Sequence, residues 1–253
     1  MCSIVSKFQS AKIGVKSIRA LGIAAFGFVV LVLPVVAAQQ PMKIEFSNDI
    51  VGAEPKSLVG VVGIWRIENE GGKKVLAVDG RRWKEGQSSA GIADKARALY
   101  GERYAEFLDR VQAYAYYPYT VAQDVQDFRN GDITVRFEGI SGRIDQGAGI
   151  LFNLKPNGDY LTVRANCLEN NLVLWKFERG KRSSVKWIRD TPTASHQWHE
   201  LKVHIAGATV EGYLDGKLYL EHTLPESVSG RIGLWSKADS HVYFDDFTVT
   251  PAD

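Results

Sequence analysis

From Thr120 to the C-terminus the sequence never holds a helical period, and short runs of alternating apolar and polar residues give way to turn pairs again and again. The pairs are Asn130-Gly131, Ser141-Gly142, Asn157-Gly158, Asn170-Asn171, Arg179-Gly180, Asp215-Gly216 and Ser229-Gly230. Side chains alternate across a strand with a period of two, so such runs are strands and the pairs are the turns between them. Strands are predicted near 121–128, 131–139, 147–154, 159–167, 171–179, 184–189, 197–206, 208–214, 217–223, 229–235 and 241–250. The firmest is the hairpin from Val210 to Leu220, because a two-residue Asp-Gly turn matches the twist of paired strands. About eleven strands spaced in this way predict an all-β chain, a two-sheet antiparallel sandwich of jelly-roll type.

The stretch before Thr120 is less regular. Lys43 to Phe46, Gly60 to Glu68 and Lys74 to Val78 read as strands, the second carrying Val62, Ile64 and Trp65 toward a core, and Asp79-Gly80 is a turn signal. From Ser89 to Val111 the period changes. Ile92, Ala96, Leu99, Tyr100, Tyr104, Phe107, Leu108 and Val111 recur every three or four positions with charges between them, which predicts an amphipathic helix near 89–111, broken near Gly101. This insertion, 86–112, either packs across a sheet edge or one end of the sandwich, or covers a binding face. The Tyr114 to Tyr119 cluster that follows is either a packed corner or an aromatic platform, and Pro118 argues against a central strand there.

Residues 1–19 carry Lys7, Lys12, Lys16 and Arg19 and no acid, and an apolar run from Leu21 to Leu33 ends in Pro34 and Val36-Ala37-Ala38. This pattern predicts a secretory signal peptide cut after Ala38 and a secreted or periplasmic protein. The competing reading is an N-terminal membrane anchor, since Leu21 to Ala38 is at the lower edge of what spans a bilayer of ~30 Å. After cleavage no stable membrane insertion is expected. Of 31 Lys and Arg, loss of those four leaves 27 against 29 Asp and Glu, so the remaining chain is slightly acidic and lacks the basic stripe of a nucleic-acid binder. Cys167 is then the one cysteine left, which excludes an internal disulfide and makes structural zinc improbable. A single domain, 39–253, of about 215 residues can bury a core without cross-links. Its oligomeric state is open.

Within the hairpin from Pro156 to Trp175, Leu161, Val163, Ala165 and Cys167 share one face and Tyr160, Thr162, Arg164 and Asn166 the other. Arg164 and Asn166 place a fork-shaped donor beside an amide, a pairing that suits vicinal hydroxyls or a carboxylate, or simply a solvated strand face. Asn171 points to a ligand or adopts the turn. Trp175 and Trp235 stack on a ligand or fill the core. Lys237 and Asp239 lie at a strand end, where binding residues and surface ion pairs are both common.

Gly147-Ala148-Gly149-Ile150, the run from Asp159 to Asn166, Trp198 to Val203, Tyr213 to Gly216, Gly230 to Ser240 and Phe244 to Phe247 resemble, in order and spacing, the jelly-roll domain named for 3-keto-disaccharide hydrolases. That domain lies within the concanavalin A-like lectin and glucanase superfamily, and the match covers roughly 120–250. The resemblance implies a saccharide ligand on a curved sheet of an exported protein, with hydrolysis of 3-keto-disaccharides as the alternative. A non-sugar interaction module, using the helix and tyrosine cluster, is a further alternative.

Glycosidases need two carboxylates, ~5–5.5 Å apart for retention or ~6.5–9.5 Å for inversion. No Glu-x-Asp-x-x-Glu run is present, and Glu169, Asp239, Asp245 and Asp246 offer no same-face pair within one strand. A 3-keto sugar could be cleaved by elimination with a single base, for which Glu169, His199 and Asp239 are candidates. His199 shares its face with Leu201, Val203 and Ile205, the pattern of a core histidine. Asp245 and Asp246, with Asn48-Asp49, could share a Ca²⁺ if the first and last strands meet, or form a charge pair that blocks an edge. No other cofactor is expected.

Overall fold

The computed structural model describes residues 40–82, 91–108 and 116–252. The predicted leader, Tyr114 and the helix ends at 89–90 and 109–111 lie outside them. In chain order the strands are β1 (Met42–Ile44), β2 (Leu58–Val62), β3 (Trp65–Glu70), β4 (Lys73–Asp79), β5 (Tyr119–Ala122), β6 (Gly131–Ser141), β7 (Gly147–Leu154) and β8 (Tyr160–Asn166). They continue with β9 (Asn171–Glu178), β10 (Lys181–Arg189), β11 (Trp198–Ala206), β12 (Thr209–Leu214), β13 (Lys217–Thr223), β14 (Arg231–Ser236) and β15 (His241–Pro251). Between β4 and β5 lie α1 (Ile92–Tyr100), a 3-10 turn (Gly101–Arg103) and α2 (Tyr104–Leu108).

The strands form two antiparallel sheets, the jelly-roll sandwich expected. One runs β13-β12-β11-β6-β15-β4-β3, with β1 beside β15; the other runs β10-β9-β8-β7-β14-β5-β2. The Asp215-Gly216 hairpin has positive φ at both turn residues, 49° and 76°, and joins β12 to β13 as predicted. Between the sheets Val135, Phe137, Val203, Ile150, Val163, Leu174, Leu234 and Phe244 form the main core. Each such side chain, fully buried, contributes roughly 1.5–3 kcal/mol.

Three expectations need correction. The strand predicted over 60–68 is two strands in different sheets: Gly63, with φ of 85°, lets the chain cross from β2 to β3 against Pro118, and Ile64 is left 46% exposed at the crossing. The strand predicted at 121–128 stops at Ala122, where the polar run from Gln123 begins, and only Phe128 returns to bridge Gly230. Asp245 and Asp246 are not on an edge, because β15 lies between β6 and β4. They sit at a bulge in β15, with Asp246 at φ of 50°.

The inserted helix breaks at Gly101, φ 54°, and packs on the outer face of the second sheet. Ala96, Leu99 and Phe107 meet Tyr119, Leu151, Tyr160, Trp175, Phe177 and Trp235 there in a second apolar core. The Arg231 guanidinium, over the Tyr100 ring at 5.3 Å, ties α1 down by donating to the Leu99 carbonyl and the Gln126 side chain. Lys95 donates to the Gly60 carbonyl. No helix among the described residues is long and apolar enough to cross a membrane.

Candidate functional site

The second sheet is buried on both faces at its centre, and β8 is buried at all seven positions. The predicted alternation holds, but the face carrying Tyr160, Thr162, Arg164 and Asn166 is not a solvated one. Register places Gly147 opposite Asn166 and Gly149 opposite Arg164. Without side chains on β7 at these rows there is a trough, and the Arg164 stem lies in it: a Cβ on Gly147 would stand 3.3 Å from Arg164 Cδ and 2.9 Å from Asp145 Oδ1.

Arg164 is 1% exposed. Its Nη1 donates to Asn171 Oδ1 at 2.9 Å, and Glu169 Oε2 lies 3.4 Å and 3.5 Å from Nη1 and Nη2. Asn171 Nδ2 donates to the same Glu169 oxygen at 2.8 Å, closing a triangle of guanidinium, carboxylate and amide. Beside it the buried Asp145 pairs with Lys237. Burial pushes the Asp145 carboxyl above its ordinary range, outweighing the pull of Arg164 and Lys237. Burial acts in the same sense on Glu169, but the Asn171 hydrogen bond and the Arg164 charge outweigh it and hold that carboxyl low. Burial also lowers Arg164, opposed by Asp145 and Glu169. Arg164 Nε, Asp145 Oδ1, Trp175 Nε1 and Arg182 Nη1 are buried polar atoms with no hydrogen-bond partner among the described residues, a concentration that marks this face as unusual.

The other predicted residues have different positions. Asn170, not Asn171, takes the turn, at φ of 47°. Asn166 Oδ1 accepts from the Leu168 amide at 3.0 Å and so fixes that turn. Tyr160 and Trp235 belong to the second core: Trp235 Nε1 donates to Tyr160 Oη at 3.1 Å, and Tyr117 stacks on Trp235. Trp235, at 0% exposure, is therefore closed to a ligand ring. Trp175 is 7% exposed, with the Arg182 guanidinium 4.2 Å from its ring centre.

Two catalytic candidates are occupied elsewhere. Asp239 accepts from the successive amides of Arg143, Ile144 and Asp145 at 2.7, 2.9 and 3.0 Å, which makes it the anchor of the loop that carries Asp145. His199 belongs to the other sheet, buried with Nδ1 2.7 Å from Asp215 and Nε2 3.1 Å from the Ala194 carbonyl. The proposed calcium ligands are also paired with cations. β1 does meet β15, yet Asp245 pairs with Lys73, and Asp246 with Lys43 at 2.9 Å. No cluster of three potential metal ligands occurs among the described residues.

Asp145, Arg182 and Trp187 were not picked out by the sequence. Asp145 had one available signal, its place two residues before the glycines of β7. Arg182 and Trp187 are five apart and by alternation would face opposite ways, but a bulge between Ser184 and Lys186 restores both to the outer face.

No protein-family model matches the chain, and no curated protein matches it in sequence. Among solved structures it is similar to a carbohydrate binding module from Bacillus subtilis, with a TM-score of 0.53 and 14% identity over 76% of this chain and 95% of that one. A Bacillus subtilis protein of unknown function with a galectin-like fold gives 0.48 and 14% over 77% and 88%; a Bacillus licheniformis beta-glucanase gives 0.46 and 11% over 86% and 100%. The class is the jelly-roll sandwich that the two sheets define, and at 14% identity the fold is what the likeness to the carbohydrate binding module shows.

Proposed function

We propose that the protein binds saccharide on the outer face of the second sheet, beside the wall made by the inserted helix. The carrying observation is the triangle of Arg164, Glu169 and Asn171 next to the orphaned donors of Trp175 and Arg182. Arg164 is too buried to be the principal contact. It is a positioning residue, and Glu169, with its side chain 42% exposed, presents a carboxylate that can accept from two neighbouring hydroxyls. A solved neighbour with a TM-score of 0.53 is named a carbohydrate binding module, which supports this reading. Export through the predicted leader is part of the proposal, and cell fractionation tests it.

Hydrolysis of 3-keto-disaccharides is the second reading, favoured by the opposed shifts of two carboxyls around one arginine, the pattern that separates an acid from a base. Binding is preferred because the exposed carboxyl is the one held low, hence a weak base, while the raised one is fully buried. Ligand-observed NMR on the purified protein, with neutral disaccharides, short glucans and their 3-keto derivatives, decides. Line broadening without products, lost in Glu169→Ala, is expected. Monosaccharide release from the keto sugars would replace binding by hydrolysis, and no broadening with any sugar would overturn both.

A further inference from the structure

β10 is the edge of the second sheet and carries Lys181, Arg182, Lys186 and Arg189 with no acid among them. Arg182 lies over the rings of Trp175 and Tyr117, at 4.2 and 5.1 Å, while Lys181, Lys186 and Arg189 form no ion pair among the described residues. Cations on an edge strand protect it from pairing with another chain. That accounts for the charge but not for Trp187, which is 44% exposed on the same strand and works against the protection. The bulge decides where these side chains stand: Arg182 pairs with Phe177, Trp187 with Val173 and Arg189 with Asn171. All three therefore stand on the outer face, Arg189 in the row of Asn171 and Trp187 in the row of Arg164. Trp187 also meets Trp175 edge to face, ring centres 5.3 Å apart.

We propose that this edge takes an acidic saccharide, a pyranose bearing a carboxylate, with the ring on Trp187 and the carboxylate on Arg189. Two residues along a strand are about 6.7 Å apart, a separation that a pyranose ring and its exocyclic carboxylate span. A guanidinium recognises a carboxylate through two parallel hydrogen bonds, and the indole offers an apolar surface to the sugar's C–H face. This inference rests on the saccharide reading and narrows it to acidic sugars.

The test is calorimetric titration of the purified protein with an oligogalacturonide and with the same oligomer after reduction of its carboxyls to alcohols. The acidic form is expected to bind at least about tenfold more tightly, with a preference that shrinks as salt screens the exposed charges. Arg189→Gln should bring the preference close to one, and Trp187→Ala should weaken both oligomers; unfolding midpoints of both variants check that the fold is kept. Equal affinity for the two oligomers would overturn this inference and leave the saccharide reading standing. Binding of neither would overturn both. Equally tight binding of single-stranded DNA of matched charge would show an unspecific cationic edge and also overturn it.

Discussion

Arg164 is a guanidinium removed from water, and its charge is tolerable because a carboxylate and an amide meet its donors directly and the nearby Asp145 charge favours it. Glu169 is the half-exposed acid of the group. Its carboxyl is held below its ordinary value by Asn171 and Arg164 against the effect of burial. A carboxyl whose pKa is depressed on folding stabilises the native state above its unfolded pKa, and that contribution disappears as pH falls through the folded pKa. The native chain should therefore be more stable than Glu169→Gln at pH 7, and the gap should close below about pH 4.3, the ordinary range of a glutamate. Asp145 runs the other way: burial raises it, so acid relieves a penalty there. Urea midpoints across this range read the difference directly. A gap as wide in acid as at neutrality would mean that Glu169 is not coupled to Arg164.

Among the elements, β5 and β14 set the floor on which the helix rests. They approach so closely that a Cβ on Gly233 would overlap the Thr120 carbonyl and stand 3.0 Å from Val121 Cα. Gly233→Ala must push β5 away and take Tyr119 with it, at an expected cost of about 2–3 kcal/mol in a denaturant melt; a change under about 0.5 kcal/mol would show that β5 moves freely. Such a contact is invisible in the sequence, where Gly233 is one glycine among many. The strands themselves were legible from β6 to β15, because alternation and Gly-containing turns are local properties. Gly63 misled for the opposite reason: a sheet-to-sheet crossing looks like an uninterrupted apolar run when only Val62 and Trp65 around it are read. For the site, Arg164 stood out as a charge inside an apolar strand. Its burial did not, since the glycine trough of β7 that receives its stem is set by the register between two strands. Arg182 and Trp187 were hidden by a single bulged residue.

The two sheets of the sandwich are covered unequally. The second sheet is covered by the sandwich core on one side and by the helix and its aromatic partners on the other, whereas β11 and β12 of the first sheet alternate between buried and more exposed positions as a sheet with one wet face does. Opening β8 would break both cores at once, so its amides should exchange only through global unfolding. The edge strands β10 and β13, with mostly exposed or half-buried residues, should open locally and exchange much sooner. β1 pairs with Phe247 to Val249 near the end of β15, so the two ends of the described chain should gain protection together. Hydrogen exchange followed by mass spectrometry on peptides covering 160–166, 181–189 and 217–223 tests this order. If the peptide from β8 exchanged as fast as the edges, the second interior would be open in solution, and the helix would cover Tyr160 and its aromatic partners only part of the time.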